Sequence, residues 1–356
     1  MSEIIIFDEH TLSERGTSNA TFDYAEAMEA HAGIRAVMMH DLRRDWVEGA
    51  VRRWSARFET IGYNSEAGRA DLVRRIQPKL YYYQRGQIDD IRLLPDVKVA
   101  VHSVFDHFPV PQADRNAYIS DWLAHHMTGG KAPAVPYIVT MPPAERDMRA
   151  AWGIPAGAVV LGRHGGRDTF DIPFAKRAVA RAVQERQDLW FLFVNTDRFI
   201  DHPRVRFLDP IFDLVEKADF IATCDAMIHA RERGESFGLA MAEFLLLDRP
   251  VLCWAGGRDR NHLVLQPNPH HLYRTEGELM RLLRRIGPAP RDGKAAAAMA
   301  PYAPDRIAAR FSDVFLTGPR VALEGKTAAG NLRRRVLNAR SLAMNRAWYA
   351  ASRIGL

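Results

Sequence analysis

The stretch Arg233-Gly-Glu-Ser-Phe-Gly-Leu-Ala-Met-Ala-Glu243 sets two carboxylates, Glu235 and Glu243, on either side of seven residues. Glu235 stands among small residues, Gly234, Ser236 and Gly238, that suit a tight turn. Glu243 lies inside a run of good helix formers, Leu239 to Leu247. Ser236 carries an N-cap hydroxyl, so the sequence predicts a helix beginning just after Glu235. A helix start presents unpaired N–H groups and the positive end of the dipole, and both favour a phosphate. Glu235 is then at the phosphate end, with Glu243 roughly 12 Å along the axis at about 1.5 Å per residue. That is about the reach from a sugar, past a diphosphate, to a ribose. Taken alone, the same pattern also suits a surface helix with two solvated glutamates.

Other segments carry residues of related chemistry. Leu161-Gly-Arg-His-Gly-Gly-Arg-Asp168 follows a strand-like run, and its glycines let backbone approach a ligand while Arg163 and Arg167 bring cations to it. A Gly-rich turn with solvated arginines would look the same. Arg15-Gly-Thr-Ser18 lies between a first strand and a helix, so Gly16 and Thr17 are candidates for a ligand loop or for a plain helix cap. It lacks Gly-x-Gly-x-x-Gly spacing, which argues against NAD or FAD. His102 opens His102-Ser-Val-Phe-Asp-His107, and two histidines at i, i+5 on a loop are a weak metal signature. The chain has no Asp-x-Asp pair.

These segments sit in a strand–helix alternation. Strands are expected at Glu3–Asp8, Ala36–His40, Lys79–Tyr83, Val97–His102 and Tyr137–Met141, with a helix at Thr21–Ala32. Pro142, Pro143 and Pro155 mark a boundary between Pro142 and Gly157. A second series follows: strands at Ala158–Gly162, Leu189–Val194, Val205–Leu208, Phe220–Cys224 and Val251–Trp254, with helices at Ile172–Glu185 and Glu276–Ile286. Leu189-Trp-Phe-Leu-Phe-Val194 is apolar throughout, as in a parallel sheet covered on both faces. Repeated strand–helix units imply two parallel α/β sheets, with ligands at the carboxyl ends of the strands.

Of 356 residues, 47% are hydrophobic and 26% charged, which suits a globular protein of about two domains. Cys224 and Cys253 lie in apolar runs and read as buried free thiols of a reducing compartment. The acidic N-terminus does not resemble a signal peptide, and no apolar run reaches a membrane span. A cytoplasmic location is therefore expected. The net charge of +6 is uneven: Asn331 to Leu356 contains six arginines and no acid. That segment fits an amphipathic helix, packed on the body of the protein or lying on an anionic membrane surface.

The Glu235–Glu243 pair, its glycines and its flanks Phe220–Ala230 and Arg249–Trp254 resemble the Glu-x7-Glu motif of retaining GT-B glycosyltransferases, the family four-like type. The resemblance implies α/β GT-B architecture: two Rossmann-like domains, with parallel sheets facing a cleft. It places an acceptor-side domain at 1–145, a nucleotide-sugar domain at 146–325, and a basic helix at 326–356 that returns to the first domain. It implies hexose transfer from a nucleotide-diphosphate sugar to a hydroxyl acceptor, such as a glycan, glycolipid or polysaccharide precursor. Glu235 then orients the sugar, Glu243 holds the ribose, and the N–H groups of Ser236, Phe237 and Gly238 meet the diphosphate. Arg163 matches the family's diphosphate arginine. Asp168 stands where the family has a lysine, which leaves Arg167, or more weakly Lys176, as substitute. Gly16 and Thr17 correspond to the first-domain loop over the donor, and His102 to a histidine that touches the sugar. No cofactor, metal or nucleic acid is expected, and the basic C-terminus allows peripheral membrane contact. The rival readings are another GT-B enzyme, a phosphorylase or an epimerase, and a silent nucleotide-sugar-binding or assembly protein.

Overall fold

The computed structural model describes residues 3–9, 11–13, 16–87, 89, 91–288 and 291–353. The chain divides into two compact units, Met1–Ile138 with Pro301–Arg335, and Val139–Ala300 with Val336–Leu356. It leaves the first unit a few residues before the proline-rich stretch, and part of it returns over Pro301–Arg335. The third and last changeover falls inside the long helix Ala328–Arg353.

The first unit is built on six parallel strands: β1 (Ile4–Glu9), β2 (Arg35–Asp41), β3 (Glu59–Tyr63), β4 (Leu80–Arg85), β5 (Val99–Ser103) and β6 (Arg115–Tyr118). Their order across the sheet is β3-β2-β1-β4-β5-β6. Ile6 sits beside Val37 on one side and Tyr81 on the other, so the apolar run of β1 is central and covered. The strand expected at Tyr137–Met141 is absent. That segment is buried as far as Val139 but joins no ladder. The sheet edge is instead Arg115–Tyr118, a short polar strand with little periodic signal. The helix Asp121–Thr128 follows, capped by the Ser120 hydroxyl at its start and by Gly129 in the left-handed region at its end. The helix Pro304–Phe311 brings Phe311 onto Tyr82 with ring centroids 5.1 Å apart.

The second unit has strands β7 (Val159–Arg163), β8 (Leu189–Val194), β9 (Val205–Leu208), β10 (Ala226–His229), β11 (Gly234–Glu235), β12 (Val251–Trp254), β13 (Asp259–Arg260) and β14 (Leu272–Tyr273). Six of them form a parallel sheet in the order β14-β12-β10-β7-β8-β9, while β11 and β13 pair separately. Phe220–Cys224 is not a strand. It belongs largely to the helix Leu214–Thr223, whose first turn is fixed by the Asp213 carboxylate accepting from the N–H groups of Val215 and Glu216. Its apolar residues are buried because they face the sheet, and the strand begins only at Ala226. The helix Pro173–Glu185 starts with proline at the position where the missing N–H costs nothing. Cys224 and Cys253 are both buried and free.

Candidate functional site

The carboxyl ends of β7 and β10 lie side by side, Gly162 being the partner of Met227. Just beyond β10, the chain pairs Gly234 and Glu235 with Asp259 and Arg260. Gly234 has φ 76°, and a Cβ there would sit 2.0 Å from the Asp259 carbonyl oxygen, so only glycine fits. This pairing corrects the expected helix start. The helix is Leu239–Leu246, and the turn into it is made by Gly238 at φ 101°, not by a Ser236 cap. Phe237 is buried, with its carbonyl accepting from Asn261 Nδ2 at 2.8 Å. Ser236, directly before Phe237, is half-buried.

Glu235 is surrounded by nitrogen. Arg231 Nη1 is 2.6 Å from one carboxylate oxygen, and His229 Nε2 is 3.4 Å from the other. Burial raises its pKa, but the His229 side chain and the Arg231 guanidinium beside it outweigh burial and bring the carboxyl down to about 2. Glu235 is therefore ionised at neutral pH. Its backbone N–H donates to His262 Nδ1 at 3.3 Å. His262 Nε2 faces the carbonyls of Trp254 and Gly256 at 3.0 and 3.1 Å. Carbonyls only accept, so that network assigns the proton to Nε2 and leaves Nδ1 as acceptor. Burial, then repulsion from His229, pushes His262 down to about 3, which keeps the ring neutral.

Among the described residues one group could offer three metal ligands: His229, Cys253 and His262, with ligand atoms within 4.8 Å of one another. Both nitrogens of His262 are already committed. The two ligands left fall short of the four of a structural zinc site. Neither His102 nor His107 belongs to this group.

Arg163 ends β7 and is only 4% exposed. Its guanidinium donates to the Gly166 carbonyl at 2.8 Å, the Asn195 carbonyl at 3.4 Å, and the hydroxyls of Thr169 and Thr196. It thus ties the loop after β7 to the loop after β8. Burial lowers its pKa to about 10, while the charge of Glu235 raises it, so it stays protonated. Arg167 is different. It is exposed and pairs with Asp197 at 2.5 Å. Lys176 lies over the Phe199 ring, 5.7 Å from its centroid.

Glu243 is buried in the helix Leu239–Leu246. Lys217 Nζ is 3.0 Å from Oε1, and His164 Nε2 is 2.9 Å from Oε2. Burial raises its pKa, but His164 and Lys217 outweigh it, so the carboxyl is held below its usual range. The His164 ring stacks on Phe244 at 5.8 Å. The sequence reading named neither Lys217 nor Arg231 as partners. Arg231 and Glu235 at i, i+4 were a visible signal, whereas Lys217 lies in the helix whose end was read as strand.

In the first unit, Gly16 and Thr17 open the helix Gly16–Ala32, where Gly16 is exposed and the Thr17 carbonyl accepts from the Thr21 hydroxyl at 3.1 Å. Arg15, in the same motif, lies outside the described residues. His102 is wholly buried. Its Nδ1 is 2.7 Å from Tyr82 Oη, and its ring meets Phe315 at 5.4 Å. Burial pushes its pKa down to about 4. In this conformation it is a core side chain with no surface for a ligand.

No protein-family model matches the sequence, and no curated protein matches it. Solved structures do. A glycosyltransferase from Rickettsia africae is 11% identical with a TM-score of 0.60, covering 96% of this chain and 98% of its own. Anabaena HepE, solved with UDP and glucose, is 14% identical with a TM-score of 0.59, covering 97% and 100%. A UDP-N-acetylglucosamine 2-epimerase from Listeria monocytogenes, described as putative, is 11% identical with a TM-score of 0.54, covering 92% and 100%. At these identities the likeness establishes the fold: α/β of GT-B type, with two six-stranded parallel sheets.

Proposed function

We propose that this protein is a retaining glycosyltransferase that moves a hexose from a nucleotide-diphosphate sugar to a hydroxyl acceptor. The observation that carries the reading is the ionised Glu235 at the carboxyl edge of the second unit's sheet, beside the turn into the helix that bears Glu243. The barrier to such a transfer is charge: negative on the departing diphosphate, positive on the oxocarbenium-like sugar. Glu235 faces the second, held in place by Arg231 and His229. Backbone N–H groups from Ser236 to Gly238, the helix dipole and the buried Arg163 meet the first. Arg163 is fixed by its loop contacts before any ligand arrives, which avoids reorganisation at the moment of reaction. Arg167 reaches the diphosphate only by leaving Asp197.

This reading assigns no side chain as nucleophile: the acceptor oxygen attacks the anomeric carbon from the side the diphosphate leaves. The carbon–oxygen bond breaks with its electrons going to the diphosphate, and the acceptor's proton passes to a phosphate oxygen. Glu243 holds the ribose, with its two oxygens oriented by Lys217 and His164. The reading uses cationic side chains, not a metal, to stabilise the leaving group. A membrane-borne hydroxyl, in a glycolipid or polysaccharide precursor, suits the basic C-terminal helix.

The test is a thermal-shift panel of nucleoside diphosphates and their sugars, followed by transfer with the hit as donor. A bound donor should raise apparent stability, and the product should keep the donor's anomeric configuration. An inverted product would exclude the retaining mechanism. Release of an epimerised sugar nucleotide without acceptor would favour the epimerase reading suggested by the Listeria neighbour. Binding with neither reaction would mark a silent binding protein.

A further inference from the structure

The helix Ala328–Arg353 uses one side to complete the second unit's core. Trp348 meets Trp254 and Tyr349 meets Phe174, with ring centroids 5.5 and 5.6 Å apart. Asn345 Oδ1 accepts from the Gly257 N–H at 3.2 Å. The opposite side is open over Val336–Arg353. With about 3.6 residues per turn, Ala339, Ala343, Ala347 and Ala350 line its middle together with Val336, which is 58% exposed. Arg346 and Arg353 fall along one margin of this strip and Arg340 along the other, all three exposed.

These arginines differ from those around them. Arg177 pairs with Glu276, and Arg181 with Glu185. Arg340, Arg346 and Arg353 have no hydrogen bond or ion pair among the described residues. The helix contains no acidic residue at all. Arg346 and Arg353 also line an open cavity of about 430 Å³ with Arg177, Tyr349, Phe174 and Glu232. Arg353 and Arg177 continue into a second of about 400 Å³, with Arg181.

We propose that this face docks on an anionic lipid bilayer, with the helix axis along the surface and a head-group phosphate in the Arg346–Arg353 cavity. The pattern fits a bilayer because the apolar strip lies between cationic margins. Long arginine stems can cross the strip's edge and leave their charges at phosphate level. The strip is mostly alanine and buries little apolar area, so charge supplies most of the attraction and binding is reversible and salt-sensitive. A soluble polyanion would use the arginines but gain nothing from the strip between them. The inference does not depend on glycosyl transfer, because docking needs no donor.

The experiment is sedimentation of the full chain with phosphatidylcholine vesicles, with and without phosphatidylglycerol. The protein should pellet only with the anionic vesicles and be released by added sodium chloride. Arg346→Ala and Arg353→Ala should each weaken binding about fivefold. Val336→Asp combined with Ala343→Asp, at exposed positions that leave the fold intact by circular dichroism, should abolish it. Failure to pellet with anionic vesicles, or equal binding to both vesicle types, overturns the proposal. So does unchanged vesicle binding by the Val336→Asp/Ala343→Asp variant.

Discussion

Glu243 Oε2 lies 2.9 Å from His164 Nε2, a contact that joins the helix after the Glu235 turn to the loop after β7. Lys217 occupies the other oxygen at 3.0 Å. All three side chains are largely shielded from water, so the carboxylate is a structural centre as well as a candidate ligand. A ribose hydroxyl that reaches it meets a carboxylate whose position is already set.

Glu243→Ala should therefore have two separable effects. Removing one partner of a buried ion pair leaves the others uncompensated and should cost about 3 kcal/mol of stability, read by urea denaturation. A ribose contact is made equally in ground and transition states, so donor KM should rise with only a modest fall in kcat. A destabilised variant with unchanged donor KM would leave Glu243 with the structural role alone.

Arg163→Ala should lower kcat more than donor affinity, because the diphosphate gains charge as the glycosidic bond breaks. Loss of one fixed donor of this kind costs about 3 kcal/mol, on the order of a hundredfold in rate. Arg163→Lys should recover only part of this, since an ammonium cannot span Gly166, Thr169 and Thr196 together. Near wild-type kcat in Arg163→Ala would reduce the residue to a loop anchor, leaving the helix start to bind the diphosphate.

Glu235 should mark the acid limb of stability. Its folded pKa is depressed from 4.5 to about 2. The stabilisation is thus complete above about pH 4.5 and is lost as pH falls towards 2. Glu235→Gln cannot titrate, so its urea midpoint should fall less steeply than the wild type's across that window. Parallel pH profiles would show that the carboxyl titrates alike in folded and unfolded chains. At neutral pH the same variant should lose most transfer activity.

Transfer activity should survive EDTA. The chain has no Asp-x-Asp pair, and the proposed leaving-group stabilisation uses Arg163 and backbone N–H groups. Loss of activity on chelation, restored by Mg²⁺ or Mn²⁺, would sink the metal-free mechanism.

The sequence by itself determined the repeated strand–helix plan and the motif on which the functional reading rests. Leu189–Val194 and Val251–Trp254 are strands as expected, because short, wholly apolar runs with polar neighbours have few other ways to be buried. The same apolar signal misled at Phe220–Cys224 and Tyr137–Met141. It reports burial, and burial is shared by a helix face and by an unpaired extended segment. Edge strand Arg115–Tyr118 was silent for the converse reason: it is hydrogen-bonded but polar at its start. Only the tertiary structure decided the long-range partners of the two glutamates. Arg231 lies one turn's reach from Glu235, but His262 arrives through the β11–β13 pairing, and Lys217 and His164 reach Glu243 from 26 and 79 residues away. Charge pairing across such separations depends on how the strands order themselves in the sheet, β10 between β7 and β12, and no local pattern encodes that order.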